Sequence, residues 1–240
     1  MIDTGIKPVD AQWLTIGCRK ICPNTAHKWT VMRTRMDLSE LQAYPLKLKE
    51  ALTRQRIREL VNEVGIDDFY VSFSGGKDSE VAVDFTAKTM AMLGAKKIRV
   101  LHVMTGLEYR SVTQFCEPFC ELVSKRHGIE VILDLEYPKD TFMDVLKRYG
   151  YPVIGKEVSK VISEARKGIK NGDGSYSYRL DQLNGRKKSP DGGKSAYNFE
   201  KWKFLLNAPF RISEKCCQCT KKSPAEAYEK RTGRIPLIAT

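Results

Sequence analysis

With 240 residues, 42% of them hydrophobic and 29% charged, the chain has the length and composition of a folded protein with one sizeable core, which excludes a disordered or collagen-like polymer. No run of 18 apolar residues occurs, and the N-terminal MIDTGIKPVDAQWLTIG lacks the positive, apolar, small-residue order of an export signal, so the expectation is a cytoplasmic protein that does not enter a membrane. A formal charge of +12, from 41 Lys and Arg against 29 Asp and Glu, concentrates anionic partners around the molecule and suits a nucleotide, a nucleic acid or an acidic protein.

Residues 1 to 44 show no sustained period and read as an irregular arm carrying Cys18 and Cys22. After Tyr44-Pro45 a helix is signalled, with Leu48, Leu52, Leu60, Val61 and Val64 sharing a face and Arg54, Arg56 and Arg58 largely elsewhere, until Gly65 ends it. Phe69 to Phe73 is the first strand. A helix follows to about Leu93, closed by Gly94, and Ile98–Val103 is the second strand. Ser111 to His127 is mostly helical around Pro118, and Glu130 to Leu135 is the third strand. Strand, helix, strand, helix, strand at this spacing predicts an α/β fold, a Rossmann-like doubly wound parallel sheet with its ligand site beyond the C-terminal strand ends.

Two more helices are predicted, Thr141 to Arg148 and Lys156 to Arg166. From Gly168 to Ser195 the chain is polar, glycine-rich and basic, and reads as a lid or as disorder. Asn198 to Leu206 suits a short helix, and the tail carries Cys216, Cys217 and Cys219.

The chemistry is concentrated between the first strand and its helix. Ser72-Phe73-Ser74-Gly75-Gly76-Lys77-Asp78-Ser79 puts two adjacent glycines where the backbone turns and brings its amides to a ligand. The following helix adds unpaired N–H groups and a positive dipole end, and Lys77 adds a full charge, which together make a phosphate cradle. Asp78 suits either a helix cap or a magnesium ligand. The spacing is not that of the Walker loop, because Val71 stands six residues before Lys77 where glycine is required.

Ser74 to Ser79 resembles, residue for residue, the SGGKDS pyrophosphate loop of the adenine-nucleotide alpha-hydrolase superfamily. Thr105-Gly106-Leu107-Glu108-Tyr109 resembles the D-T-G-x-x-[FY]-P-E segment of the 3′-phosphoadenylylsulfate (PAPS) reductase family, and Tyr151 to Glu157 resembles its Y-P-x-x-x-K-E segment. Trp202 to Leu205, Ala208 to Phe210 and Cys216-Cys217 resemble the stretch that follows in bacterial and phage-encoded members. The resemblance implies an adenine nucleotide (ATP, adenylylsulfate or PAPS) held by the loop with Thr105, Gly106, Glu108, Tyr109, Lys156 and Glu157, and an enzyme acting on an activated sulfate or an alpha-phosphate through Lys77, Asp78, Lys156 and Cys217. It also implies magnesium and a thiol or sulfur donor protein as partners. Periodicity and the change in composition divide the chain into an irregular arm 1–44, outside the resemblance, a nucleotide-binding domain 45–168 and a lid or flexible loop with a Cys-containing tail, 169–240.

The chain departs from the family at Met104, where Asp is usual, and at Arg110, where Pro is usual. The E-C-G-L-H motif, whose cysteine is the nucleophile of the sulfite-releasing reductases, is absent from the sequence. Two other readings therefore stand beside the first: an ATP-cleaving enzyme that adenylates nucleic acid for sulfur insertion, and a nucleotide-binding regulatory protein without turnover. Cys116 and Cys120 fall in step with Val112, Phe115, Phe119 and Val123 and are expected in the core. For Cys18, Cys22, Cys216, Cys217 and Cys219 three roles are open: a zinc or iron–sulfur site, a redox or sulfur-carrying thiol, or no chemistry.

Overall fold

A computed structural model describes residues 42–239; Cys18, Cys22 and nearly all of the expected arm lie outside the described residues. The chain divides into a sheet unit, which takes in Glu108–Glu136, Ala225 onward and the described residues up to Met104, and a helical unit, Thr105–Leu107 with Tyr137–Pro224. The units therefore divide at Glu136/Tyr137 and not near residue 168, and the end of the chain, expected only as a Cys-containing tail, returns to the sheet.

In the sheet unit, α1 (Leu46–Val64) leads to β1 (Phe69–Ser72), α2 (Lys77–Met92), β2 (Lys97–Val103), α3 (Arg110–His127) and β3 (Glu130–Glu136). The chain comes back through α7 (Ser223–Thr232) to β4 (Ile235–Leu237). All pairings are parallel, in the order β3-β2-β1-β4, with Val71 opposite Val100 on one side and Leu237 on the other. Pro236 has no N–H to give to a ladder and is tolerated because β4 is an edge strand.

Strand alternation sets the two faces. Phe69, Val71, Ile98 and Val100 point to one face, where Ile57 and Leu60 of α1, Val83, Ala87 and Met90 of α2 and Cys116, Cys120 and Val123 of α3 complete the main core. Leu48, expected on that buried face, is exposed, and Ile57 occupies it instead. On the other face Tyr70 and Leu101 meet Tyr228 of α7, with the Tyr70 and Tyr228 rings edge to face at 5.0 Å. Both hydroxyls are used: Tyr70 donates to Glu229 at 2.9 Å and Tyr228 to Asp134 at 2.6 Å. A parallel sheet covered by helices on both faces is the expected doubly wound arrangement.

In the helical unit, α4 (Phe142–Tyr149) comes first, and α5 (Lys156–Asn171), α6 (Ser177–Leu183) and a 3-10 segment (Glu200–Asn207) then build a second core of Val158, Val161, Ile162, Ala165, Leu183, Leu205 and Ile212. The polar stretch expected to be lid or disorder is locally structured. It contains the end of α5, all of α6 and a bridge between Lys188 and Lys194, because Leu183 is buried in this core with Leu180 packed against it. No helix among the described residues is long and apolar enough to cross a membrane.

Candidate phosphate-binding site

The sheet order puts the end of β1 at a reversal. From β1 the chain moves to β2 and β3 on one side, and β4 joins on the other. A crevice between strands whose connections leave in opposite directions is where parallel α/β sheets take ligands. The loop 73–76 leaves β1 at that point. Phe73 N–H continues the ladder to Leu101 O at 2.9 Å, and Phe73 O meets Nδ1 of the buried His102 at 2.8 Å, so the first loop residue is held at both its N–H and its carbonyl.

Past Phe73 the turn is organised by one hydroxyl. Ser79 Oγ accepts from the amides of Ser74 and Gly76, each at 3.2 Å, and donates to Gly76 O at 2.7 Å. It also lies 3.2 Å from Ser74 Oγ. The residue three positions inside α2 thus pins the loop that precedes it. Gly76 is the N-cap, and having no side chain it caps nothing. The amides of Gly75, Lys77, Asp78 and Ser79 meet no acceptor among the described residues, which leaves donors grouped at the positive end of a 16-residue helix.

The two glycines are required for different reasons. Gly75 has φ +73°, and a Cβ there would stand 2.6 Å from Val112 Cγ1 of α3, so both conformation and packing exclude a side chain. Gly76 has φ −104°, and a Cβ would meet only Ser74 Oγ, at 3.5 Å. The protein's own packing does not demand glycine at 76. What its absent side chain leaves open is the solvent side of the loop.

Lys77 is exposed and has no carboxylate partner among the described residues. Asp78 is exposed and enters no side-chain hydrogen bond there, so it is not the helix cap; Ser79 holds the turn instead. Ser74 and Gly76 are exposed, Gly75 and Ser72 half-buried. Phe73 is a correction to the expected contact set: its ring is buried and stacked on Phe119 at 5.4 Å between centroids, so only its backbone belongs to the loop.

Glu108 and Tyr109 sit at the start of α3, one turn before Val112. Tyr109 is 83% exposed, and its carbonyl accepts from Val112 N–H at 2.9 Å. Burial raises the Cys116 thiol pKa and the charge of Glu108 raises it further. Thr105 and Gly106 belong by their contacts to the helical unit; Thr105 is buried, its Oγ1 accepts from Leu107 N–H at 3.2 Å, and Gly106 has φ +79°.

Lys156 and Glu157 begin α5, also in the helical unit, and both are exposed. Glu157 is 3.9 Å from Arg179. Here too a glycine, Gly155, is the N-cap, and a buried first-turn serine ties back to the preceding loop: Ser159 Oγ accepts from Val153 N–H at 2.9 Å and donates to Val153 O at 2.8 Å. Ser159 was not among the expected residues; its signal is a serine in the first turn after a Gly-Lys pair.

Cys216 and Cys217 lie in a helical turn, Lys215–Cys217, and Cys219 in the π-helical turn Gln218–Lys222 that follows. All three are half-buried free thiols, and among the described residues no group of three His, Cys, Asp or Glu is arranged to hold a metal ion. Consecutive residues of a helix point in different directions, so these three do not form a zinc or iron–sulfur site by themselves. Cys116 and Cys120 are buried, as expected, and burial pushes the Cys120 thiol up to about 12.

No known protein family, curated protein or solved structure matches the chain.

Proposed function

We propose that the loop Ser74–Ser79 binds the phosphate chain of an adenine nucleotide, as the first step of an enzyme acting on an activated sulfate or on the alpha-phosphate. The observation that carries the proposal is the group of amides at Gly75, Lys77, Asp78 and Ser79, which meet no acceptor among the described residues, pre-ordered by the Ser79 hydroxyl and accompanied by Lys77, which has no carboxylate partner there. Donors fixed before the ligand arrives stabilise an anion without a reorganisation cost, and holding the phosphates in place is most of what such catalysis requires. The adenine specificity rests on the resemblance of these six residues to the SGGKDS loop.

Magnesium fits this arrangement, because the ion binds through one or two carboxylates plus substrate phosphates, and Asp78, in the first turn of α2, is an exposed carboxylate with no hydrogen-bond partner for its side chain among the described residues. When bound it would neutralise charge on the phosphates. Asp78 would hold it, Lys77 would balance the remaining charge, and the loop amides would orient the chain. Reductive release of sulfite is the less supported outcome, since the E-C-G-L-H cysteine is missing. The net charge of +12 favours, as a second reading, ATP cleavage coupled to adenylation of a nucleic acid.

Calorimetric titration with ATP, adenylylsulfate and PAPS tests the proposal. Binding of at least one of them, weakened about tenfold or more in Lys77→Ala by loss of a charge-assisted contact, is expected. Absence of binding by all three, or unchanged affinity in the variant, refutes it. Pyrophosphate release from ATP on adding nucleic acid selects the second reading, and binding without turnover selects a regulatory protein.

A further inference from the structure

The basic charge is not spread evenly. Residues 105–107 and 137–224, the helical unit, carry 19 Lys and Arg against 9 Asp and Glu, a net +10 of the chain's +12. Several of the few carboxylates are already engaged inside the unit: Asp140 with Arg148, Glu157 and Glu164 with Arg179, and Glu200 with Lys194. An unbalanced field of this size attracts a polyanion, but charge alone does not say where it would sit.

A groove of about 480 Å³ between the last turns of α5 and the 3-10 segment gives the place. Its apolar surface comes from Ile169, Phe204 and Leu206, and Lys170 and Lys203 stand on its rim with no carboxylate lining it. Phe204 is 65% exposed and Ile169 57%, large apolar side chains left in water beside two lysines that pair with no carboxylate among the described residues. The groove's backbone is fixed from beneath by Arg166, whose guanidinium donates to the carbonyls of Leu206 at 3.0 Å, Ala208 at 2.8 Å and Phe210 at 2.7 Å, and also to that of Leu205. The 3-10 segment therefore holds Phe204 on a rigid support.

We infer that this groove binds a single-stranded polynucleotide, with a base stacked on the Phe204 ring and its flanking phosphates on Lys170 and Lys203. An exposed ring beside lysines on a basic face is the combination that recognises unpaired bases and their backbone together. A duplex keeps its base faces stacked inside and offers Phe204 nothing. The surface is independent of the nucleotide loop, whose residues lie in the other unit.

The test is fluorescence anisotropy of an end-labelled oligothymidylate of about 20 nucleotides, a length that exceeds one stacking site, titrated with the full chain. Binding is expected, weaker to the matched duplex. Phe204→Ala should lower the affinity about tenfold and leave the salt dependence alone, while Phe204→Tyr retains binding because the ring is kept. The double variant Lys170→Gln/Lys203→Gln should lower affinity and reduce the slope of log affinity against log salt by about 1.4, roughly 0.7 per lost phosphate contact. Lys77→Ala should leave oligonucleotide binding unchanged, which separates this inference from the nucleotide proposal. No binding at low salt, equal binding of duplex, or full affinity in Phe204→Ala overturns the inference. Displacement of the oligonucleotide by polyglutamate in Phe204→Ala and in the unaltered protein alike would assign the surface to an acidic polypeptide and overturn it too.

Discussion

Replacing Gly75 and Gly76 one at a time by alanine separates what the fold needs from what a ligand needs. At Gly75 the added Cβ must adopt φ +73°, which costs an L-residue about 1–2 kcal/mol. It must also displace Val112 Cγ1 from 2.6 Å, and a β-branched side chain on a helix has no other comfortable rotamer, so α3 itself has to move. Overpacking of that kind costs about 1–3 kcal/mol, which puts Gly75→Ala about 2–5 kcal/mol below the unaltered protein. At Gly76 the backbone is already in a region open to any residue and the new atom meets only Ser74 Oγ at ordinary contact distance, so stability should change by less than about 1 kcal/mol. The same methyl group would stand on the solvent side of the loop, where the phosphates are proposed to lie. Gly76→Ala should therefore fold normally and lose about tenfold or more in nucleotide affinity. Urea denaturation reads the first quantity and calorimetry the second. Equal stability of Gly75→Ala and the unaltered protein, or full nucleotide affinity in Gly76→Ala, would refute the reasoning.

Burial alone would raise the Asp84 carboxyl, but hydrogen bonds from His127 at 2.9 Å and Arg126 at 2.8 Å outweigh it and hold its pKa below the usual carboxylate value. The stability this lends to the α2–α3 contact is present above about pH 4 and is lost as pH falls through the lowered folded value. Asp84→Asn should cost about 1 kcal/mol near neutrality and progressively less in acid; a difference in urea midpoint that does not shrink at low pH would contradict this. Arg166→Met keeps the apolar stem but strips the carbonyls of residues 205, 206, 208 and 210 of their donor, and should destabilise the helical unit by about 3 kcal/mol, measured by hydrogen exchange of its amides. Near pH 8 iodoacetamide should label Cys216 and Cys217, which are half-buried, well before Cys116 and Cys120, whose thiols burial raises; peptide mass mapping showing equal rates would contradict the packing assigned to α3.

Much of the sheet unit was legible because its signals are local. Apolar runs such as Phe69-Tyr70-Val71 and Val131-Ile132-Leu133, with Gly65 and Gly94 closing the helices, mark elements whose partners are near in sequence. β4 was not legible, since three residues containing Pro236 carry no strand pattern of their own and are recruited by an open edge of β1. The helical unit was legible only in part, because what orders residues 168 to 208 is a few long-range commitments: Leu183 into the second core and Arg166 onto distant carbonyls. At the candidate site the loop itself could be read, but not the division of labour inside it. Nothing in the order Lys-Asp-Ser says that the serine rather than the aspartate holds the turn, or that Phe73 turns its ring inward to Phe119.

The partner that closes the outer side of β1 is made long after β1 itself: Tyr70 and its hydrogen-bond acceptor Glu229 are 159 residues apart. While the ribosome is still translating the helical unit, β1 to β3 can already pair, but one side of β1 stays without its strand and Tyr70 without its lid. That margin is the one at which another nascent chain could pair, so protection of the growing polypeptide matters most in the interval before Ile235–Leu237 emerges.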